Sequence, residues 1–359
     1  MDAFFERLGR TVLERWEREG FSLASFPAVA CAALAERPPL DHLDVAAFVR
    51  EFLLSDAQAP QTQSGFGQPE VVVYEHARFY VQVLFWLDGT TDIHQHAFSG
   101  AFHVLAGSSI HAQFAFANAR VVTPHLFLGD TRLTSIELLE TGRTVPIASG
   151  QGFIHALFHL ETPSITVVVR THHDPGPGPQ LNYLPPHVAH DPSHHDPLMA
   201  RRTQLLDVLE QIADPAYSEL VLAMLAEWDF ARGFTVLQHA MHHLRDLDAW
   251  DLVLAAFQDR HGSLAVGIAA TFDAIARRDV VVGLRSMVED PEHRFFLALL
   301  LNVPTQAALL ALVTQRFPQH PARATVARWM AELAASLDDD DLTRLRDAFT
   351  DSDLCNLLA

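Results

Sequence analysis

The chain has 359 residues, of which 49% are hydrophobic and 19% charged, a balance typical of globular proteins and not of disordered ones. This length predicts two or three domains. The net charge is −19 and all 25 basic residues are arginine, which argues against a nucleic-acid or anionic-membrane partner and excludes Schiff-base chemistry on a lysine.

The remaining bulk features indicate a cytoplasmic protein. No apolar run is long enough to span a bilayer, and the N-terminus lacks the pattern of a secretory signal. Cys31 and Cys355 show no motif spacing, so a disulfide framework is not expected. The histidines are unusual, since thirteen of the 21 lie between His94 and His195.

The first segment, residues 1–60, is predicted to be helical. Apolar residues from Phe4 to Trp16 recur at intervals of three and four, which places them on one face of a helix that Gly20 would end. Further helices are expected over 26–35 and over 41–54, the last one capped by Asp41. Residues 57–69 are predicted to form a loop.

The second segment, residues 61–186, carries the signals of an all-β sandwich or barrel. Short β-branched and aromatic runs, such as those over 71–74, 79–86 and 110–116, recur about every ten residues between turn signals. Residues 187–200 continue a proline- and histidine-rich stretch that we interpret as a linker. Residues 201–359 have helical periodicity and are predicted to form an all-α domain, a bundle or solenoid.

Two short motifs in the β segment indicate a metal site. On a strand, residues two apart face the same side, so His94 and His96 present two imidazoles together. The second motif, Gly150-Gln-Gly-Phe-Ile-His155, follows a glycine-rich turn and offers a third imidazole. We therefore predict that His94, His96 and His155 hold one metal ion.

The order and spacing of these motifs resemble those of the cupin superfamily over about residues 70–186. His94, His96 and Gly107 match the first cupin motif, Gly152 and His155 match the second, and His159 stands where that motif has asparagine. The resemblance implies a central cupin jelly-roll barrel between the N-terminal helical segment and the C-terminal all-α domain.

The main departure from the cupin pattern is Gly100, which stands where cupins have a glutamate ligand. Three neutral imidazoles would leave a divalent ion with its full charge and with open coordination positions, and we interpret Gly100 as the origin of one open position. Among cupins, the predicted site resembles most those of the thiol-dioxygenase type, which also bind iron through three histidines. This resemblance implies that the metal is Fe(II). Imidazole ligands also suit Zn, Mn, Ni or Cu.

Several polar residues are candidates for the surroundings of this site. Arg78, Tyr80 and Gln82 share one face of a predicted strand; if that face lines the barrel, Arg78 and Gln82 would bind substrate and Tyr80 would be catalytic. If it points outward, Phe79, Val81, Val83 and Phe85 would fill the barrel instead.

Further candidates lie on the neighbouring predicted strands. The side chains of His111 and Gln113 share one face, where they would bind substrate, orient a ligand or form an ordinary part of a half-exposed sheet. His159 is a second catalytic candidate. The linker histidines His187, His190, His194 and His195 are more simply explained as incidental than as a second metal site.

Three functions are compatible with this sequence. The first is a mononuclear non-haem oxygenase that acts on a small molecule with dioxygen. The second is a metal-dependent isomerase, lyase or hydrolase, and the third is a non-catalytic binding cupin. In each case the helical domain could support a homodimer or bind a protein partner, and the substrate stays open.

Overall fold

A computed structural model describes residues 2–55, 59–62, 66–87, 89, 91–176, 178–350 and 352–358. The chain forms two compact units whose ranges interleave. Unit 1 contains residues 1–115, 133–180 and 277–359, and unit 2 contains residues 116–132 and 181–276. The four consecutive segments expected from the sequence do not coincide with these units. Part of the predicted loop, residues 57, 58 and 63–65, lies outside the described residues.

The described helices confirm the predicted helical flanks and extend them. They are α1 (Asp2–Arg18), α2 (Phe26–Glu36), α3 (Val45–Leu54), α4 (Pro197–Gln211), α5 (Tyr217–Glu227), α6 (Phe230–Asp246), α7 (Trp250–His261), α8 (Ile268–Met287), α9 (Pro291–Asn302), α10 (Gln306–Arg316), α11 (Ala322–Ser336), α12 (Asp339–Asp347) and α13 (Cys355–Leu358). Within the described part of the chain, none of them is both long and apolar enough to cross a membrane.

The eleven strands found among the described residues form two sheets. They are β1 (Glu70–His76), β2 (Phe79–Trp86), β3 (Ile93–His96), β4 (Gly100–Ala106), β5 (Ser109–Thr123), β6 (Leu126–Leu139), β7 (Thr144–Ile147), β8 (Gly150–His159), β9 (Ser164–Thr171), β10 (Asn182–Leu184) and β11 (Val188–His190). The first sheet has the order β1-β2-β9-β4-β7, and the second has the order β10-β11-β6-β5-β8-β3. This is a β-barrel of the jelly-roll type, as predicted.

The N-terminal helices cover the outer face of the first sheet. In α1 the side chains of Phe5, Leu8, Val12 and Trp16 are buried, because their spacing puts them on one face of the helix. They belong to the same apolar cluster as alternate residues of β2, which include Phe79 and Phe85. The phenylalanines of β2 therefore pack outward against helices, and the opposite face of β2 points into the barrel.

One helix start differs from the prediction. Asp44, not Asp41, caps α3, since its carboxylate accepts a hydrogen bond from the backbone N–H of Ala47 at 2.7 Å. Asp41 lies instead in a short 3₁₀ turn, Pro39–Asp41.

The helices after residue 280 belong to unit 1 and share a core with the barrel. Phe296 and Trp329 from these helices lie in one apolar cluster with Ile110 of β5 and Phe158 of β8. At the edge of this cluster the Glu161 carboxylate accepts hydrogen bonds from the backbone and hydroxyl of Ser108 and from the Arg316 guanidinium, at 2.6 to 2.7 Å. These contacts tie α10 to the barrel.

Unit 2 has its own core. Buried residues of α4 to α8, such as Phe234, Val253 and Phe272, cluster with Leu126 and Val188 from the ends of β6 and β11. The stretch expected to be a linker, 187–200, thus contains a strand, β11, which pairs with β10 just before it. Helix α4 begins at Pro197, earlier than predicted, because the Asp196 carboxylate caps its first backbone N–H groups.

Candidate metal centre

The three predicted ligands converge inside the barrel. His94 and His96 lie on β3 and His155 lies on β8, where His94 and His155 are direct cross-strand partners in an antiparallel pair. Their exposed fractions are only 2% to 3%. One ligand atom from each of the three residues lies within 4.8 Å of the other two. Among the described residues, no other group of three histidine, cysteine or acidic side chains is close enough to hold a metal ion.

The ring nitrogens of the three histidines are only partly satisfied by hydrogen bonds, and Nδ1 of His96 is buried without a partner among the described residues. The Nδ1 atom of His94 lies 2.7 Å from the carbonyl oxygen of Asp92, so Nδ1 carries the proton and Nε2 carries the lone pair. That Nε2 is buried without a hydrogen-bond partner. The Nε2 atoms of His96 and His155 are 2.9 Å apart, a separation at which two lone pairs repel unless a proton or a cation lies between them.

The electrostatics of the site keep the three imidazoles neutral. Burial lowers the pKa of His94, and the hydrogen bond with Asp92 and its charge only partly oppose this effect. Burial lowers the pKa of His96 and His155 well below the ordinary value, and the neighbouring His94 ring adds to this. Neutral imidazoles are the form that binds metal ions, so the donor set fits a divalent cation.

A small cavity adjoins the three rings. Its volume is about 30 Å³, which suffices for roughly one or two water molecules. Aromatic and aliphatic side chains make up most of its wall, and the polar residues besides the histidines are Gln82, Thr91 and Thr166. The Thr91 hydroxyl is engaged with the backbone of Leu157, at 2.7 and 3.2 Å, and so fixes the wall.

The predicted polar face of β2 reaches this cavity only in part. Gln82 is buried and lines the cavity together with Leu84 and Trp86. Arg78 is exposed, with its guanidinium 4.3 Å from the centre of the Phe21 ring, and Tyr80 contacts His172 with ring centres 5.1 Å apart. Arg78 and Tyr80 therefore share the predicted face but are not among the residues that line the cavity.

Arg170 lies closer to the site than Arg78 does. Its guanidinium stacks on Phe98, a cavity residue, at 3.4 Å from the ring centre, and its positive charge contributes to the low pKa of His96. Burial lowers the pKa of Arg170 itself, against the influence of Tyr80, Glu70 and Asp174.

His111 and Gln113 occupy different environments on β5. His111 is fully buried, and its Nε2 atom lies 3.1 Å from Nδ1 of His155, so it contacts a predicted ligand and does not line the cavity. Gln113 is the cross-strand partner of His155, but it is half-buried and does not line the cavity either.

His159 is buried behind Trp86 and is not among the residues that line the cavity. The two rings stack with centres 4.8 Å apart and an angle of 19° between their planes, and Nδ1 of His159 lies 3.0 Å from the Ser109 hydroxyl. Burial lowers the pKa of His159 to about 4.

The close approach of strand β9 requires a glycine at position 100. A Cβ atom at this position would lie 2.2 Å from the carbonyl oxygen of Val169 on the neighbouring strand β9. No side chain fits there without a shift of the backbone, so this backbone cannot present a glutamate from position 100. Gly100 itself is not among the residues that line the cavity.

Most residues of the cavity wall were not predicted as site residues, and four residues at or near the site are of particular interest. Phe66, Trp86 and Phe98 line the cavity, and Glu137 on β6 contacts His111, with Oε1 3.3 Å from Nδ1. Trp86 could have been found, since it continues the alternation of Gln82 and Leu84. Phe66 and Glu137 carry no local signal, because strand pairing between distant segments brings them in.

Comparison with known proteins finds likeness in structure alone. No protein-family model and no curated protein matches the chain. A double-stranded β-helix protein from Klebsiella pneumoniae is 20% identical over 33% of this chain and 86% of its own, with a TM-score of 0.22. A cupin-2 domain protein from Shewanella frigidimarina is 18% identical over 34% and 89%, with a TM-score of 0.21.

Enzymes occur among the similar structures as well. The DMSP lyase DddQ from Ruegeria pomeroyi is 18% identical over 48% of this chain and 92% of its own, with a TM-score of 0.25. All three TM-scores are low, so this likeness carries no argument about activity. The chain is similar to cupin and double-stranded β-helix proteins, and it is a jelly-roll barrel with three buried, converging histidines.

Proposed function

We propose that the chain is a mononuclear non-haem oxygenase that holds iron(II) with His94, His96 and His155 and acts on a small molecule with dioxygen. The observation that supports this most strongly is the convergence of three buried, neutral imidazoles beside a cavity that no carboxylate lines within the described part of the chain. Such a set provides three protein ligands and leaves the other coordination positions of a divalent ion to substrate and dioxygen.

The ligand set favours a catalytic over a structural ion. A structural site closes its coordination sphere with protein groups, whereas a catalytic site keeps positions open. Iron(II), when bound, would supply Lewis acidity and a route for electrons to dioxygen. Zinc, manganese, nickel and copper also accept imidazole ligands, so metal analysis is part of the test.

The cavity wall would select the substrate. Three neutral ligands leave the charge of the ion uncompensated, which favours a substrate that binds through an anionic donor such as a thiolate, alkoxide or carboxylate. The cavity of about 30 Å³ is smaller than such a substrate, which would have to displace part of the wall; Phe66, Phe98 and Trp86 would then contact its apolar part, and the Gln82 amide offers a hydrogen bond. The Arg170 guanidinium, stacked on Phe98, favours negative charge on the same side.

The direct test is reconstitution of anaerobically purified protein with iron(II). We expect one equivalent of iron, a nitrosyl EPR signal with nitric oxide as a dioxygen analogue, and dioxygen consumption with members of a panel of small thiols, hydroxy acids and diols. His94→Ala should lose all three. Stoichiometric zinc in the native protein, together with turnover that needs no dioxygen or with no dioxygen consumption across the panel, would contradict the proposal.

A further inference from the structure

One of the three ligands is linked to a carboxylate. The His111 ring lies between His155 and Glu137: its Nε2 atom is 3.1 Å from Nδ1 of His155, and its Nδ1 atom is 3.3 Å from Oε1 of Glu137. The His111 and His155 rings are nearly perpendicular, at 87°. Each ring nitrogen of His111 and His155 therefore has a partner in this row of hydrogen bonds except Nε2 of His155, which faces Nε2 of His96.

The direction of the hydrogen bonds from Glu137 through His111 to His155 follows from the carboxylate of Glu137. An ionised carboxylate only accepts hydrogen bonds, so Nδ1–H of His111 donates to Glu137. Neutral His111 then has its lone pair on Nε2, which accepts a hydrogen bond from Nδ1–H of His155. The proton of His155 is therefore on Nδ1, and Nε2 keeps the lone pair for a metal ion.

The inner part of this row of hydrogen-bonded side chains is buried, whereas the Glu137 side chain at its outer end is 41% exposed. His111 is fully buried and lies between Phe102 and Phe153, with ring centres 6.2 and 6.0 Å away. In such a medium of low polarity a charge acts over a longer distance than in water. The other carboxylate oxygen of Glu137, Oε2, lies 3.7 Å from Arg143, which leaves Oε1 for His111.

We propose that Glu137, acting through His111, fixes the tautomer of His155 and supplies the negative charge that three neutral imidazole ligands lack. This inference rests on the metal site of the proposed function. His94 differs, since its Nδ1–H donates to the neutral carbonyl of Asp92. His155 is accordingly the strongest donor of the three, and His111 and Glu137 are positioning residues that raise metal affinity.

The test compares Glu137→Gln with Glu140→Gln. Both substitutions remove one negative charge from the end of β6 or the turn that follows it. Glu140, however, is exposed, and the hydrogen bond it makes with the described residues is the one its backbone carbonyl accepts from the Arg143 N–H. We expect Glu137→Gln to weaken the binding of cobalt(II) or zinc(II), measured by chelator competition, by about 10- to 100-fold. Glu140→Gln should match the wild type, and Glu137→Asp should recover part of the loss.

A second readout is independent of the metal. Long-range ¹⁵N–¹H NMR of the metal-free protein should show His111 and His155 both protonated on Nδ1, and Glu137→Gln should weaken or abolish this pattern at unchanged fold. Equal metal affinity of the two glutamine variants, or a wild-type His155 protonated on Nε2, would overturn the inference.

The two proposals can fail separately. Metal affinity and tautomers are measured without substrate, so a protein that binds metal but consumes no dioxygen refutes the oxygenase and leaves the role of Glu137 intact. A protein that binds no metal refutes both.

Discussion

Two histidine-rich regions of the molecule have opposite properties. In unit 1, three histidines two to three per cent exposed lie on β3 and β8 with their ligand atoms within 4.8 Å of one another. In unit 2, His190, His194 and His195 line an open cleft of about 480 Å³ with His125. There the rings of His125 and His194 stack 3.7 Å apart, and His125 pairs with Asp191 at 3.0 Å.

This contrast shows that a high local density of histidine does not by itself indicate a metal site. The strand spacing of His94 and His96 points both rings to one side, and burial keeps them neutral. In unit 2 His190 ends β11 and His125, His194 and His195 lie in loops, so no strand spacing orients the four rings, and His125 is already bound to a carboxylate. Orientation and desolvation distinguish the two regions.

The largest expected effect is on metal binding. His96→Ala should abolish the binding of one equivalent of iron(II) or cobalt(II), since two imidazoles leave the ion mostly to solvent. The matched variant His194→Ala, in the unit 2 cleft, should bind as the wild type does. Metal analysis after gel filtration measures the bound metal in both variants. An equal loss of bound metal in the two variants would contradict the proposed difference between the regions.

A second prediction concerns the backbone that supports the unit 1 site. Gly100→Ala should lower the free energy of unfolding by about 3 kcal/mol or more, because the added methyl group would overlap the carbonyl oxygen of Val169. Denaturant titration measures the change. Gly142→Ala, at a turn where a Cβ atom meets only Leu40 at 3.9 Å but φ is +88°, controls for backbone strain alone. A stable Gly100→Glu variant with an added carboxylate ligand would contradict this account.

A third prediction separates burial from ligation. The pKa of His159 is lowered from 6.5 to about 4 by burial, so the folded protein keeps the ring neutral while the unfolded chain takes up a proton below pH 6.5. Its contribution to stability is therefore lost as pH falls from 6.5 towards 4, by about 3 kcal/mol at the lower end. His159→Phe should make the acid loss of unfolding free energy less steep.

Denaturant titrations at several pH values measure this slope. The exposed His195→Phe controls for the added phenyl ring and should keep the slope of the wild type. If His159→Phe also keeps that slope, His159 is not a buried neutral ring. Loss of metal binding in His159→Phe would instead show that His159 is part of the metal site.

The smallest effect is expected in the unit 2 cleft. His125→Ala removes the contact with Asp191, but the His125 side chain is 41% exposed, and pairs of this kind contribute about 1 kcal/mol or less. The midpoint of thermal unfolding should change little. A loss of several kcal/mol would show that this cluster is a structural centre comparable with the one in unit 1.

Local sequence pattern predicted the parts of the site that depend on local geometry. Strand periodicity gave the facing pair His94 and His96, and the spacing of the second motif gave His155. Alternation along β2 gave the face of Gln82, but it does not say how far along the barrel the cavity extends, so Arg78 and Tyr80 were included although they do not line it.

Features that depend on distant pairing could not be predicted in this way. Glu137 reaches His111 only because β6 neighbours β5, and the constraint on Gly100 comes from Val169 across the sheet. The interleaved units have the same origin, since the chain enters unit 2 at residue 116, leaves it, and returns at residue 181. No composition shift marks the crossings at residues 116 and 133, which lie within the continuous strands β5 and β6.

X-ray absorption spectroscopy of the iron(II)- or cobalt(II)-loaded wild type tests the central claim most directly. Three imidazole rings should account for the protein ligands, with oxygen donors from solvent in the remaining positions, and His155→Ala should lose the multiple-scattering signal of three bound imidazoles. A first coordination sphere with sulfur or a protein carboxylate, or an unchanged spectrum in His155→Ala, would contradict the three-histidine centre.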